Sequence, residues 1–410
     1  MNTTTRPAAV GMSKDRLARI GPWMEGYVAS GKLAGCMTLI ARHGQIVYWD
    51  QRGMADEGTG RPMAADDIFR IYSMTKPIVS AAAMALFEEG LFQLDDPVAR
   101  FLPEFGNSQL WLEGEGEAMK TEPVGDAMKI WHLMTHTSGL VYGNREPGEV
   151  GRAYQAAGVD FSGSRNTGDL AEMTRRCASM PLRWRPGTRW EYSVATDVLG
   201  RLVEVVAGKP LAEVLQERIF KPLGMTDTGF QLPKTKAQRL TALFQRQADG
   251  SRKETDPASE LSSWAQPITL ASGGGGLVST AADYLKFTEM LRGLGEYEGA
   301  RTLGRKTAAY MMRNHLPGNA DLTSMGQPVF SETSYDGIGF SLAGSVVIDA
   351  AKAKALCSEG EFAWGGAAST GFWVDPAEGI CAIFMTQLLP SSSYPIRREL
   401  RTLTYQALID

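Results

Sequence analysis

The chain has 410 residues, 43% of them apolar and 21% charged, with 42 basic against 46 acidic side chains and a net charge of −4. This is the composition of an ordinary globular protein with ample material for a core, and it excludes the biases of disordered or fibrous chains. The near-balance of charge, without long single-sign runs, argues against nucleic acid or an anionic membrane as partner.

The N-terminal stretch MNTTTRPAAVGMSKDRLARIG lacks the apolar centre of a secretory signal, and no run of about 18 apolar residues follows, so a cytoplasmic location is expected. Residues 12–30 carry apolar side chains at helical spacing (Leu17, Ile20, Trp23, Met24, Tyr27) until Gly31 and Gly35 interrupt it. Residues 36–53 hold two β-branched runs around His43-Gly44, which predicts an antiparallel hairpin. A strand-like segment from Ile68 to Tyr72 leads into SMTKPIVSAAAMALFEEG, apolar nearly all round between Ile78 and Phe87 and closed by Gly90, the pattern of a central buried helix. The middle of the chain mixes helical segments (195–207, 210–219, 281–293, 305–313) with Gly/Pro-rich loops and few convincing strands. From about 337 the period changes: GFSLAGSVVID, FAWGG, STGFWVDP and GICAIFMTQ read as strands, and 395–408 as helix. The last strands and the first hairpin are expected to share one sheet. The fold class is therefore α/β, with an antiparallel sheet built from both chain ends and flanked by helices. The expected organisation is 10–90 plus 325–410 as the α/β domain and 91–324 as an inserted, mainly helical domain, with the active site between them.

Cys36, Cys177, Cys357 and Cys381 are scattered without a CxxC pair and read as reduced structural thiols. His132 and His136 are spaced i,i+4 but lack the intervening Glu of a zinc-binding helix, and His136, in the turn-like HTSG, is expected to bond within its own turn. No metal site is expected. Gly273–Gly276 is followed by no GK[ST], so a packed or mobile loop near a pocket is a better reading than a phosphate cradle.

The sharpest chemical signal is Ser73-Met-Thr-Lys76. On a helix, i and i+3 share a face, so a hydroxyl and an amine can meet there. A serine hydroxyl is a weak nucleophile until a base or a neighbouring cation assists it, and a helix N-terminus supplies positive potential and backbone N–H groups for an oxyanion. The pattern also arises by chance in a chain of this length. The apolar surroundings of Lys76 strengthen it, because a buried lysine must be paired or serve a purpose.

Ser73-x-x-Lys76, Tyr192-Ser193-Val194, HTSGL at His136 to Leu140, PGTRWEYS at Pro186 to Ser193, PLGMTDTGF at Pro222 to Phe230 and GGGGLVST at Gly273 to Thr280 together resemble the serine β-lactamase and penicillin-binding-protein superfamily. The nearest resemblance is to class C β-lactamase-like carboxylesterases, the family VIII esterases. The resemblance implies a β-lactamase/transpeptidase-like fold with Ser73 as acylated nucleophile and Lys76 as its partner. It makes Tyr192 the general base, for which nearby ammonium charge is needed. It also places Trp364-Gly365-Gly366 where family members carry K-T-G on a strand lining the site, with the Ser73 and Ala367 N–H groups as oxyanion hole.

Two departures bear on substrate. Val194 stands where lactamases and peptidases usually have Asn, and Trp364 replaces a lysine that holds a substrate carboxylate. Both favour fairly apolar esters, with Trp364, Gly365, Gly366 and Val194 on the substrate side and Tyr142 and Trp264 as candidate acyl-pocket walls. Asp197 reads as a structural carboxylate. The expected activity is serine carboxylesterase, without metal or organic cofactor, on small ester substrates. The alternatives are an acyltransferase, a β-lactamase or D-amino-acid peptidase on the same fold, and, from another class, a non-catalytic binding protein or sensor. The sequence leaves the oligomeric state open.

Overall fold

The structure, a computed structural model, describes residues 6–159, 168–326 and 335–410. Its centre is an eight-stranded antiparallel sheet. In chain order its strands are β1 (Gly35–Arg42), β2 (Gln45–Asp56), β3 (Arg61–Pro62), β4 (Ile338–Phe340), β5 (Ser345–Val347), β6 (Phe362–Gly365), β7 (Gly371–Asp375) and β8 (Ile380–Thr386), and they lie side by side as β4-β5-β6-β7-β8-β1-β2-β3. The two chain ends meet where β1 pairs with β8, from Cys36↔Thr386 to Arg42↔Ile380. The β1–β2 turn has positive φ at both His43 (51°) and Gly44 (78°), as a two-residue type I′ hairpin requires.

Every residue of β1 is buried, because both faces of the sheet are covered. On one side Cys36 and Ile40 pack with α1 (Ile20–Ala29) and the C-terminal helix, α5 (Ile396–Tyr405). On the other, Met37 and Leu39 join the larger core with α2 (Thr75–Glu88), α3 (Ala195–Ala207) and α4 (Ala281–Arg292). In α2 the whole run from Thr75 to Leu86 is buried, and its alanines at 81, 82, 83 and 85 let neighbouring elements close around it.

The structure departs from the sequence reading in places. The first predicted helix is two, Lys14–Leu17 and Ile20–Ala29, and only Phe69–Arg70 of the segment before Ser73 pairs as strand, with Val278–Ser279. The 210–219 helix loosens after Leu215 into a π-turn, Gln216–Phe220. Two hairpins in the middle, Gln109–Glu113 with Lys120–Pro123 and Leu243–Arg246 with Arg252–Asp256, escaped notice. Most of their side chains are polar and partly or fully exposed, which erases the alternation that marks a strand. Among the described residues no helix is long and apolar enough to cross a membrane, and no cysteine is paired in a disulfide.

Candidate active site

Ser73 sits on a single 3-10 turn, Tyr72–Met74, that runs directly into α2. The approach to that turn is pinned. The fully buried Arg70 donates from Nε and Nη2 to Asp256 (2.8 and 2.5 Å) and from Nη1 to the Thr241 carbonyl (2.6 Å), while its own backbone pairs with the Gln387 amide. Tyr72 then takes a positive φ of 44°, a conformation that costs a non-glycine residue about 1–3 kcal/mol and persists only when its surroundings enforce it. They do: the Ile71 N–H bonds the Leu277 carbonyl (3.1 Å), the Tyr284 hydroxyl bonds the Met74 carbonyl (2.9 Å), and Trp264 meets the Tyr72 ring edge-on at 5.6 Å. Ser73 is left 4% exposed, on the wall of a cleft.

Lys76, one turn along α2 and 1% exposed, reaches three acceptors: the Gly274 carbonyl at 2.6 Å, the Tyr142 hydroxyl at 3.1 Å and Ser73 Oγ at 3.3 Å. An ammonium has three protons and no acceptor. An ammonium at this position finds an acceptor for each of its three protons. The Gly274 carbonyl is itself held in place, because the Gly274 N–H and the Ser272 hydroxyl both donate to Asp197 Oδ1 (3.0 and 2.5 Å). A side chain at 274 would collide with Asp197 Oδ2 at 2.4 Å, and one at 273 with the Thr196 carbonyl at 2.6 Å. The glycine run is thus a tightly packed loop that carries one carbonyl to the lysine. Burial pushes the Asp197 carboxyl up, and its bond from Ser272 and the charge of Lys76 oppose that shift.

Tyr192 lines the same cleft. Its ring lies under Lys76, with Nζ 4.6 Å from the centroid, and is enclosed by His136 (4.9 Å), Tyr142 (5.5 Å), Trp364 (5.5 Å) and a stacked Trp190 (6.0 Å). Trp364 Nε1 points at the Tyr192 hydroxyl from 3.4 Å. The two tyrosines beside Lys76 differ. Burial, the nearby Tyr192 and Asp197 push the Tyr142 phenol well above its usual range, and it does not line the cleft. Of the two, Tyr192 shares the cleft with Ser73.

At the end of β6, Trp364 walls the cleft, and Gly365, Gly366 and Ala367 follow along it. The glycines are needed for contacts with protein. A Cβ at 366 would lie 2.5 Å from the Ile71 carbonyl and one at 365 would lie 2.6 Å from the Arg397 guanidinium. The strand end carrying Ala367 is therefore pressed against the turn carrying Ser73.

Val194 does not reach the cleft. It is completely buried at the N-terminal boundary of α3, turned into the core, so substrate contact through its side chain is corrected to a packing role. Trp264 supports Tyr72, and Tyr142 holds Lys76, rather than either lining the cavity. His136 bonds outside its own turn, to Ser193. His132 Nδ1 accepts the Lys129 N–H, and burial lowers this histidine to about 4. Arg145, Tyr335, Ser391 and Arg397 also line the cleft and went unnoticed in the sequence. None lies in a recognisable motif, and Arg397 arrives from α5, where it donates to the Gly366 and Thr370 carbonyls. Among the described residues no three His, Cys, Asp or Glu side chains converge as metal ligands.

The profile of the family described as Beta-lactamase matches residues 22–406. Protein Rv1367c of Mycobacterium tuberculosis is 36% identical over 368 residues, 89% of this chain and 88% of its own. Esterase EstB of Burkholderia gladioli is 33% identical over 402 residues, 95% of each chain. Among solved structures, EstCE1, described as a hydrolase with promiscuous acyltransferase activity, superposes with a TM-score of 0.80 at 29% identity, covering 95% of this chain and 99% of its own.

Proposed function

Because the chain belongs to the β-lactamase family, we propose that it is a serine hydrolase acting on carboxylic esters, with Ser73 as nucleophile, Lys76 as its fixed cation and Tyr192 as general base. The observation that carries this reading is the placement of Lys76 Nζ, within hydrogen-bond reach of Ser73, Tyr142 and Gly274 and 4.6 Å from the centre of the Tyr192 ring. Ser73 Oγ attacks the ester carbonyl and the phenolate form of Tyr192 takes its proton. The oxyanion forms between the Ser73 and Ala367 N–H groups, a stabilisation that acts only as charge develops. Tyr192 returns the proton to the departing alcohol, and water then releases the acid from the acyl-enzyme by the same steps.

The cleft draws Ser73, the 364–367 segment, Ser391 and Arg397 from residues 10–90 and 325–410, and Arg145 and Tyr192 from residues 91–324. This supports an α/β part and a mainly helical part with the active site between them. Small ester substrates suit a cleft walled by Ser73, Tyr192, Trp364 and Ala367. Esters rather than lactams are supported by Trp364 and by 33% identity to EstB, itself named an esterase. The description of EstCE1 supports a secondary acyl transfer in which an acceptor alcohol replaces water.

The test is steady-state hydrolysis of p-nitrophenyl acetate and butyrate by wild type and Ser73→Ala, with and without added alcohol, alongside nitrocefin. Ester turnover should fall by at least about 10⁴-fold in the variant, and nitrocefin turnover by the wild type should be slow. Ester turnover that survives the substitution would remove Ser73 from its role.

A further inference from the structure

Tyr192 can serve as base only if its hydroxyl is held in place, and neither Trp364 nor Lys76 fixes its backbone. His136 holds the backbone on both sides of Tyr192. Its carbonyl accepts the Glu191 N–H at 2.8 Å, and its ring Nδ1 accepts the Ser193 N–H at 3.3 Å, so one residue grips the chain on both sides of Tyr192. The Ser193 hydroxyl lies 3.2 Å from the same nitrogen and accepts the Ala195 N–H at 3.3 Å. With Nδ1 occupied as acceptor, the ring proton sits on Nε2, facing Thr196 Oγ1 at 3.5 Å. The imidazole also packs on the Tyr192 ring at 4.9 Å. Its backbone adopts a φ of 54°, which is what turns both the carbonyl and the ring toward residues 191–193.

We propose that His136 is the positioning residue of the general base, acting as a neutral two-point clamp on the backbone flanking Tyr192. The inference rests on the assignment of Tyr192 as base. His136 does not line the cleft and its accepting nitrogen is occupied, so it takes no proton from substrate. Burial and the nearby charge of Lys76 hold it well below the usual histidine range, which keeps that nitrogen free to accept.

Asparagine and glutamine separate the clamp from mere filling of space. Asn places an oxygen where Nδ1 stands and tolerates positive φ, whereas Gln places its amide near Nε2 and leaves the Ser193 N–H without an acceptor. His136→Asn should retain kcat for p-nitrophenyl butyrate within about fivefold of wild type, and His136→Gln should lose about 30-fold or more, with KM in both within about threefold. Rates are normalised to folded protein by near-UV circular dichroism and thermal melting. Equal kcat in the two variants, or losses that follow the folded fraction or appear in KM, would overturn the clamp while leaving the serine hydrolase intact. Ser73→Ala and Tyr192→Phe are run alongside. Turnover surviving in Ser73→Ala would overturn the hydrolase reading, and turnover surviving in Tyr192→Phe would overturn the base assignment and the clamp with it.

Discussion

Gly366→Ala tests whether the oxyanion site depends on close contact between two backbones. The added Cβ would stand 2.5 Å from the Ile71 carbonyl oxygen and 2.3 Å from Thr370 Oγ1. Ordinary contact needs about 3.4 Å, so either the Ser73 turn or the Ala367 segment retreats by roughly 0.9 Å. Arg70 and its partners pin the first, so the second moves. An oxyanion bond of about 2.9 Å lengthened by that amount is no longer a hydrogen bond, and loss of one such donor costs about 10²–10³ in kcat. Gly365→Ala probes the same segment from its other side, because its Cβ displaces the Arg397 guanidinium that bonds the Gly366 and Thr370 carbonyls, and it should lower kcat as well. The assay is kcat and KM on p-nitrophenyl butyrate with melting temperature measured in parallel. Gly366→Ala retaining kcat within threefold of wild type would refute the argument that this contact sets the site.

Lys76→Met keeps the length and bulk of the side chain but removes the ammonium, leaving Ser73, Tyr142 and Gly274 without their donor. The acylation rate, followed by stopped-flow release of p-nitrophenol, should fall by about 10³-fold, and a loss under tenfold would contradict the role of the fixed charge. Away from the site, Tyr405 OH lies 2.7 Å from both Glu361 and Asp375 yet has one proton to give, and burial pushes the Glu361 carboxyl up, against the opposing charge of Arg401. A carboxyl whose folded-state pKa is raised contributes stability below its unfolded value and loses it as pH rises through the folded value. Glu361→Gln mimics the protonated form, with its amide donating to Tyr405 and its oxygen accepting from Arg401. The decline in melting temperature from pH 4.5 to pH 8 should be shallower in this variant than in wild type, and equal slopes would rule out the titration.

The sheet was legible because its central strands are short apolar runs broken by turn residues, and the His43-Gly44 turn announces its own geometry. Helix α2 was legible because apolar residues surround it. The missed hairpins at 109–123 and 243–256 bury few side chains, Leu110, Leu243 and Phe244 among them, and hydropathy does not register the pairing partners that complete them. At the site, Ser73, Lys76 and Tyr192 stood out because their motifs occur together in family order. Arg145 and Arg397 did not, because a residue brought to a cleft by the docking of its helix or loop leaves no local spacing. Val194 was assigned to substrate by position in a motif, yet the first turn of α3 faces inward. His136 was read through its own turn, while its partners lie 57 residues later.

The pairing of β1 with β8 also sets a timetable. Arg42 meets Ile380 in that register, so a strand made early waits for one made about 340 residues later. At about 5–20 residues per second that interval is roughly 17–70 s, during which the hairpin formed by β1 and β2 presents an unpaired and largely apolar edge strand. The newly made chain is therefore open to chaperone capture and aggregation for most of its synthesis. Yield in cells should respond to elongation rate and chaperone supply more than the stability of the finished enzyme would suggest.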